Sequence, residues 1–241
     1  MSTSITQPTA LLFDNVVHPA REGHAPSPVA IAPPATAANS IGKRAMDVAG
    51  AAVALILLAP ILLVVAACIR VDSRGPILFR QLRVGHGGRR FWVLKFRTMV
   101  PDAERKLGEL ETLNESAGGV LFKIKHDPRV TRLGRFLRKT SLDELPQLFN
   151  VLRGDMSLVG PRPLQIRDSD KLEALDPEGF AVRLTVPQGV TGPWQIGGRS
   201  AKDSDSMLRL DLEYVERWSL ALDLKILLKT IPAVLSGRGA C

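Results

Sequence analysis

Residues 48–69 carry no charged side chain over 22 positions, bounded by Asp47 and Arg70. As a helix this run would be roughly 33 Å long, about the thickness of a bilayer's hydrocarbon core. Pro60 falls near its middle, where a proline removes one backbone hydrogen bond and crowds the preceding turn. Both flanks are basic: Lys43 and Arg44 before the run; Arg70, Arg74, Arg80, Arg83, Arg89 and Arg90 after it. Positive charge at both ends draws both to the cytoplasmic side. A helix-break-helix hairpin bent at Pro60, dipping into one leaflet and returning, satisfies both facts and is favoured over a straight span. A buried core helix fits a charge-free run of this length least well.

Beyond residue 70 the pattern shortens. Residues 75–81 and 91–98 read as two strands, and the glycine-rich stretch 85–90 between them suits a hairpin turn. Residues 102–114 form a charged, solvent-facing helix, and 131–139 a short, strongly basic one. Residues 146–153 make an apolar helix closed by Gly154. The prolines of Val159-Gly-Pro-Arg-Pro163 impose a rigid turn. Two helices follow at 208–217 and 220–231, the second stopped by Pro232. That second helix mixes Leu220, Leu222, Leu224, Ile226, Leu227, Leu228 and Ile231 with Lys225 and Lys229; it suits a membrane interface or an ordinary core. Residues 1–40, rich in Pro, Ala, Ser and Thr, show neither period and read as a disordered leader. They contain no basic start followed by an apolar stretch, so they do not read as a signal peptide.

The remaining bulk properties narrow the function. The net charge of +8 points to a polyanionic partner. Aromatic residues are only 5%, too few for the stacking platforms of a nucleic-acid binder, so an anionic membrane surface or a phosphorylated substrate fits better. The two cysteines, Cys68 in the apolar run and Cys241 at the terminus, imply no disulfide framework and suit a reducing compartment. Four scattered histidines offer no zinc spacing. The chain contains no G-x-S-x-G elbow, no G-x-x-x-x-G-K-[ST] phosphate loop and no G-x-G-x-x-G opening a helix.

Chemistry concentrates at Asp143-Glu144, set just after a cluster of arginines and before a proline-started apolar run. Ser141-x-x-Glu144 spells a capping box, and acids at a helix start offset its dipole. Weighed alone, the cap prevails over catalysis. Paired acids with cations nearby are also what phosphate chemistry with a metal ion requires. Glycoside hydrolysis fits poorly, because neighbouring acids cannot flank a sugar bond from two sides.

The surroundings reverse the balance. In order along the chain stand Lys43-Arg44-x-x-Asp47, the proline-broken apolar run, Asp72-Ser-x-Gly-Pro-Ile-Leu-Phe79, Gln81-x-Arg83-x-Gly85 and Lys95-Phe-Arg-Thr-Met99. Then come Arg138-x-x-Ser141, the unbroken block to Pro163, Gly189-Val-Thr-Gly192, Trp194-Gln195 and Gly198-Arg-Ser200. From about Ile41 to the C-terminus the chain resembles the bacterial sugar transferases, the monotopic polyprenyl-phosphate phosphoglycosyl transferases.

The resemblance implies an α+β, mostly helical fold. An N-terminal re-entrant membrane helix-break-helix (41–70) precedes a small cytosolic catalytic domain (71–241) with a short β-hairpin and interfacial amphipathic helices. It also implies a reaction: transfer of sugar 1-phosphate from a UDP-sugar to undecaprenyl phosphate on the cytoplasmic face of the membrane, with UMP released. Asp143 is then the nucleophile that carries a covalent phosphosugar, Glu144 its partner, and Mg²⁺ the cofactor held by both. Carboxylate is a competent nucleophile, magnesium prefers carboxylate and phosphate oxygens, and a guanidinium fork suits phosphate. Arg138 and Arg162 resemble the family's phosphate-holding arginines; otherwise Arg138 caps its own helix and Arg162 pairs with Asp155. Lys95, Gln195 and Arg199 are candidates for nucleotide contacts, and Asp211 matches an acidic family position.

The C-terminal stretch 218–240 resembles the exopolysaccharide-type members, which favours a hexose donor such as UDP-glucose or UDP-galactose over a UDP-N-acetylated sugar. A departure lies at Val186-Pro-Gln-Gly189, where a basic residue followed by Pro-Gly is usual; it puts the loop geometry near Gly189 in question. The implied partners are the UDP-sugar, undecaprenyl phosphate and the anionic inner leaflet, with no nucleic acid; a homodimer is left open. The competing class is a non-catalytic, basic, membrane-attached adaptor in which the dyad is only a cap.

Overall fold

The computed structural model describes residues 40–101, 103, 105–106, 120, 124, 127–197 and 204–235. All of the leader but Ser40, most of the helix expected over 102–114, Arg199 and Cys241 lie outside the described residues. The fold is mixed helix and sheet, mostly helical, and begins with one long apolar helix.

That helix, α1 (Ile41–Asp72), starts at Ser40, whose side chain accepts from the Lys43 amide at 3.2 Å. It runs without interruption for 32 residues and contains Pro60. The full break expected there is therefore corrected to a continuous helix: a proline deletes only its own donation to the carbonyl four residues back, which permits the axis to bend without ending the helix. α1 is long and apolar enough to cross a membrane, and only 11% of its most apolar window is buried. One stripe packs inward at helical spacing through Lys43, Asp47, Ala51, Val65 and Ile69, while Val53, Ile56, Leu57, Leu63 and Val64 stand exposed.

Both ends of α1 are fastened to the same body. Lys43, expected as part of a basic flank, is buried: its ammonium meets Asp223 at 2.6 Å and the Val159 carbonyl at 3.0 Å. Asp47 accepts from the Ser157 hydroxyl and the Leu158 amide, both at 2.9 Å. Arg44 caps the last carbonyls of a later helix, at Val151 and Leu152. At the other end Arg97 donates to the carbonyl and hydroxyl of Ser73, and Val65 and Ile69 join Phe96 and Leu137 in a small core.

Strands β1 (Leu78–Val84) and β2 (Arg90–Phe96) form the expected hairpin, a few residues later for the first strand. Its turn needs glycine at Gly87 and Gly88, whose φ values are +61° and +76°. The antiparallel register pairs Phe79 with Lys95 and Arg83 with Phe91. Because side chains alternate, Phe79, Gln81, Arg83 and Lys95 share one face. β4 (Leu164–Gln165) completes the sheet on the β1 side, which leaves β2 at the edge. Fully buried Asn150 covers that edge, accepting from the Leu94 amide and donating to the Trp92 carbonyl. It does the work of a missing strand.

Helix α2 (Arg132–Lys139) is capped by Thr131, which accepts from the Gly134 amide at 2.9 Å. Helix α3 (Gln147–Arg153) ends at Gly154 in the left-handed region, as expected. β3 (Ser157–Val159) runs parallel to β5 (Gly189–Thr191), with α4 (Ile166–Leu175) and α5 (Pro177–Arg183) between them in sequence. The short α6 (Pro193–Ile196), α7 (Ser204–Arg217) and α8 (Leu220–Leu235) close the fold. α8 passes through Pro232 instead of stopping there. A proline in the last turn forfeits one bond with little helix left to disrupt.

The main core gathers Ala51 of α1, Leu148 and Val151 of α3, Leu158 and Val159 of β3, Tyr214 and Val215 of α7 and Ile226 of α8. A second core, including Leu164, Leu172, Phe180, Trp194 and Met207, joins β4 to α4–α7. Between the two, β3 and β5 deliver the turn that carries Arg162.

Candidate active site

The dyad sits where α2 hands over to α3. Thr140 ends α2, and Ser141 turns the chain through the left-handed region at φ +55°. Leu142–Glu144 then make a single 3₁₀ turn. The capping box is not formed: the Ser141 side chain makes no capping bond, and the Ser141 amide donates to the Arg138 carbonyl at 3.1 Å. A left-handed Ser141 aims its hydroxyl away from the first-turn amides, and stronger partners claim the Glu144 carboxylate.

Those partners are cations from two other elements. Lys95 Nζ of β2 lies 2.8 Å from Glu144 Oε1, and Arg162 Nη2 lies 2.7 Å from the same oxygen. Arg162 Nη1 reaches the second oxygen at 3.4 Å. Among the described residues, the hydrogen bonds and ion pairs of the dyad fall on Glu144 rather than on Asp143. Asp143 is 8% exposed. Burial, then the charge of Glu144, pushes its carboxyl up to about 6, against the opposing fields of Lys95, Arg138 and Arg162. Burial draws Lys95 below its ordinary range while Glu144 opposes the shift. Glu144 holds the Arg162 guanidinium above its usual value.

Arg138 approaches from the last turn of α2, with Nε donating to Thr98 Oγ1 at 3.0 Å. Burial lowers its guanidinium, and Asp143 is the first charge to oppose that. The helix comes this close because of Gly134: a Cβ there would lie 2.0 Å from the Thr98 carbonyl oxygen. Arg162 rides the Gly160–Pro163 turn after β3 and does not pair with Asp155, which accepts from Asn150.

The turn is held from behind. Fully buried Arg183 donates to the Arg162 carbonyl at 2.7 Å and pairs with Asp211 at 3.0 Å. Asp211 therefore sits behind the site, its carboxyl raised by burial with Arg183 opposing. Gln195 is 4% exposed on α6, and its amide lies beside Gly192, which packs on the Gly160 carbonyl. The unusual Gln188 is buried within its own loop, donating to the Arg183 and Val186 carbonyls, while its backbone carbonyl accepts from the Ser157 amide. The departure from the usual pattern thus keeps the parallel β3–β5 pairing.

The structure brings together Asp143, Glu144, Lys95, Arg138 and Arg162 from four elements: β2, the end of α2, the 3₁₀ turn and the turn after β3. Sequence reasoning gave Arg83 a place in the basic flank and in the Gln81-x-Arg83-x-Gly85 pattern but no role at the site, and passed over Arg183. For Arg83 a signal existed: strand alternation sets Gln81 and Arg83 on the face of Lys95. For Arg183, a lone arginine in α5, there was none.

Two carboxylates suit a hard cation that completes its shell with phosphate oxygens and water. Among the described residues no group of three or more His, Cys, Asp or Glu side chains could hold a metal by itself, so such an ion would rely on its substrate.

A family model described as "Bacterial sugar transferase" matches residues 38–237. The chain is 42% identical over 205 residues to the exopolysaccharide production protein ExoY of Rhizobium meliloti, covering 84% of this chain and 89% of that protein. It is 43% identical over 208 residues to a UDP-glucose:undecaprenyl-phosphate glucose-1-phosphate transferase of Caulobacter vibrioides, covering 84% and 73%. It is 43% identical over 201 residues to the galactosyl transferase CpsE of Streptococcus agalactiae, covering 83% of this chain but 43% of that longer protein. The match takes in the dyad, the arginine turn and the apolar helix alike, and the chain belongs to the bacterial sugar transferase family.

Proposed function

We propose that this protein transfers a hexose 1-phosphate from a UDP-hexose to undecaprenyl phosphate and releases UMP. The observation that carries the proposal is the unequal treatment of the dyad: Glu144 is clamped by Lys95 and Arg162, while among the described residues no hydrogen bond or ion pair falls on the buried Asp143 carboxylate beside it. A buried carboxylate facing three cations is suited to attack phosphorus, because the cations draw in the anionic substrate and stabilise the charge that develops.

In the first step an Asp143 carboxylate oxygen attacks the sugar-bearing phosphorus of the donor. The bond from that phosphorus to the bridging oxygen breaks, and UMP leaves with the bridging oxygen. In the second step a phosphate oxygen of the lipid attacks the same phosphorus, expels the Asp143 carboxylate and forms the polyprenyl diphosphosugar. Arg162 and Arg138 hold phosphate oxygens through planar forks. Lys95 holds Glu144 in place. Asp143 and Glu144 are the residues that would hold Mg²⁺, which supplies neutralisation of the diphosphate as UMP departs.

Relatives named for UDP-glucose and for galactose transfer support a hexose donor over an N-acetylated one. The attachment of both ends of α1 to one body supports a re-entrant placement, since a spanning helix would present its ends to opposite sides of the bilayer. Leu220, Leu224, Leu228 and Ile231 form an exposed stripe on α8 beside exposed Lys225 and Lys229, which suits an interfacial position against anionic lipid. The lipid phosphate then meets the dyad at the cytoplasmic surface.

The test is label transfer to undecaprenyl phosphate from UDP-glucose, UDP-galactose and UDP-GlcNAc, with wild type and Asp143→Asn. Transfer from a hexose donor, with near-complete loss of UMP release in the variant, is expected. Transfer from UDP-GlcNAc alone would sink the hexose assignment. Unchanged UMP release from Asp143→Asn would remove the nucleophile and leave the dyad a structural turn.

A further inference from the structure

The centre holds a buried cation that the steps above do not use. Arg83 of β1 is 8% exposed, on the same hairpin face as Lys95. Its Nη1 donates to the Pro163 carbonyl at 3.0 Å, at the end of the turn that presents Arg162. Its Nη2 donates to the Gln81 side-chain oxygen, and its Nε is buried with no hydrogen-bond partner. Among the described residues no carboxylate lies within ion-pair distance of this guanidinium. Burial and the nearby charge of Arg162 bring it down to about 10, with Asp168 and Glu144 opposing, so it is charged at neutral pH.

A buried arginine without a contacting counter-ion is costly to the fold unless something else returns that cost. Asp168 gives partial relief: it is 2% exposed at the start of α4, but its Oδ1 already lies 3.6 Å from Arg167 Nε. Glu144, the weaker of the two opposing charges, is shared by Lys95 and Arg162. Lys95, Arg138, Arg162 and Arg83 thus outnumber Asp143 and Glu144. The excess positive charge has the sign and place to be met by the donor's diphosphate.

We infer that Arg83 is a positioning residue for donor binding, which fixes the Arg162 turn through the Pro163 carbonyl and keeps the centre cationic in the absence of substrate. This rests on the transferase reading above. Arg83 acts through Arg162 and through its field, so its loss falls on capture of the nucleotide sugar more than on the chemical step.

The test compares steady-state kinetics of wild type, Arg83→Lys, Arg83→Gln and Gln81→Glu, together with thermal unfolding of each. Arg83→Gln is expected to raise the donor KM by about tenfold or more with kcat within about threefold. Arg83→Lys restores the charge and one donor and is expected to recover most of that loss. Gln81→Glu keeps the arginine and its contact, adds a carboxylate that neutralises it, and is expected to raise the donor KM while leaving the unfolding temperature unchanged or higher. An unchanged donor KM in Gln81→Glu, or a loss confined to kcat in the Arg83 variants, would overturn the inference. If Arg83→Gln does not fold, Gln81→Glu decides alone. Wild-type protein that transfers no label with any UDP-sugar indicts the transferase reading instead, so the two failures are distinguishable.

Discussion

Arg162 and Lys95 converge on a single oxygen of Glu144, at 2.7 and 2.8 Å, and so divide the labour between two adjacent acids. Glu144 is thereby the fixed anion that organises the cations, and in the proposed mechanism Asp143 is the reactive one. The acid next door keeps Asp143 above the ordinary aspartate range, second only to burial.

Replacing Glu144 by Gln removes that neighbouring charge and frees two cations beside Asp143, so the Asp143 carboxyl should fall. Wild-type activity is expected to drop as pH falls through about 6, where Asp143 takes up a proton. In Glu144→Gln the residual activity should show its acid limb at lower pH, with a reduced kcat because Lys95 and Arg162 lose their anchor. A pH profile of UMP release for both proteins checks this. An acid limb that stays in place or moves up contradicts the coupling.

Asp143 also ties activity to stability. Its folded value lies above the unfolded one, so the native state binds more protons between about pH 4 and 6. Its contribution is therefore increasingly unfavourable as pH rises through that window, and fully so above it. Asp143→Asn should unfold later than wild type at pH 7.5, by on the order of 1–3 kcal/mol, with the difference vanishing below about pH 4. Thermal or denaturant unfolding in detergent at two pH values measures it.

Lys43 and Asp223 form a buried pair that locks the start of α1 onto α8, with exposures of 2% and 0%. Tyr214 and Trp218 both donate to Asp223, at 2.7 and 3.2 Å. Burial, then the Asp223 charge, holds the Tyr214 hydroxyl far above its ordinary range, so it stays a donor. Lys43→Met strands the carboxylate and should cost about 3–5 kcal/mol. The double change Lys43→Met with Asp223→Leu should recover part of that. Equal losses for the single and double variants would show that the pair contributes packing alone.

Much of this was legible in the sequence where pattern maps onto local geometry. The hairpin followed from two apolar runs about a glycine cluster, the end of α3 from Gly154, and the basic helix from Thr131 onward. The identities of Asp143, Glu144, Arg138, Arg162 and Lys95 came from a block whose order resembled a family. What failed did so because tertiary contacts outbid local rules. Ser141 and Glu144 have capping-box spacing, yet Lys95 and Arg162 take the carboxylate, and Ser141 turns left-handed. Pro60 and Pro232 read as breaks, yet apolar helices continue past both. Lys43 read as a flanking charge for topology and is instead an internal anchor, because its partner lies 180 residues away. No local window reveals such a pairing. Asp211 and Arg183 were likewise illegible as a support for Arg162 until α5 and α7 were packed together.

The central claim is that Asp143 carries the phosphosugar. Purified protein given UDP-glucose or UDP-galactose with Mg²⁺ and no lipid phosphate should gain the mass of one hexose phosphate, and fragmentation should place the addition on Asp143. Undecaprenyl phosphate should then discharge it, and Asp143→Asn should never acquire it. An adduct on another residue, or lipid-linked product formed by wild type with no adduct detectable at any time before lipid is added, would contradict it.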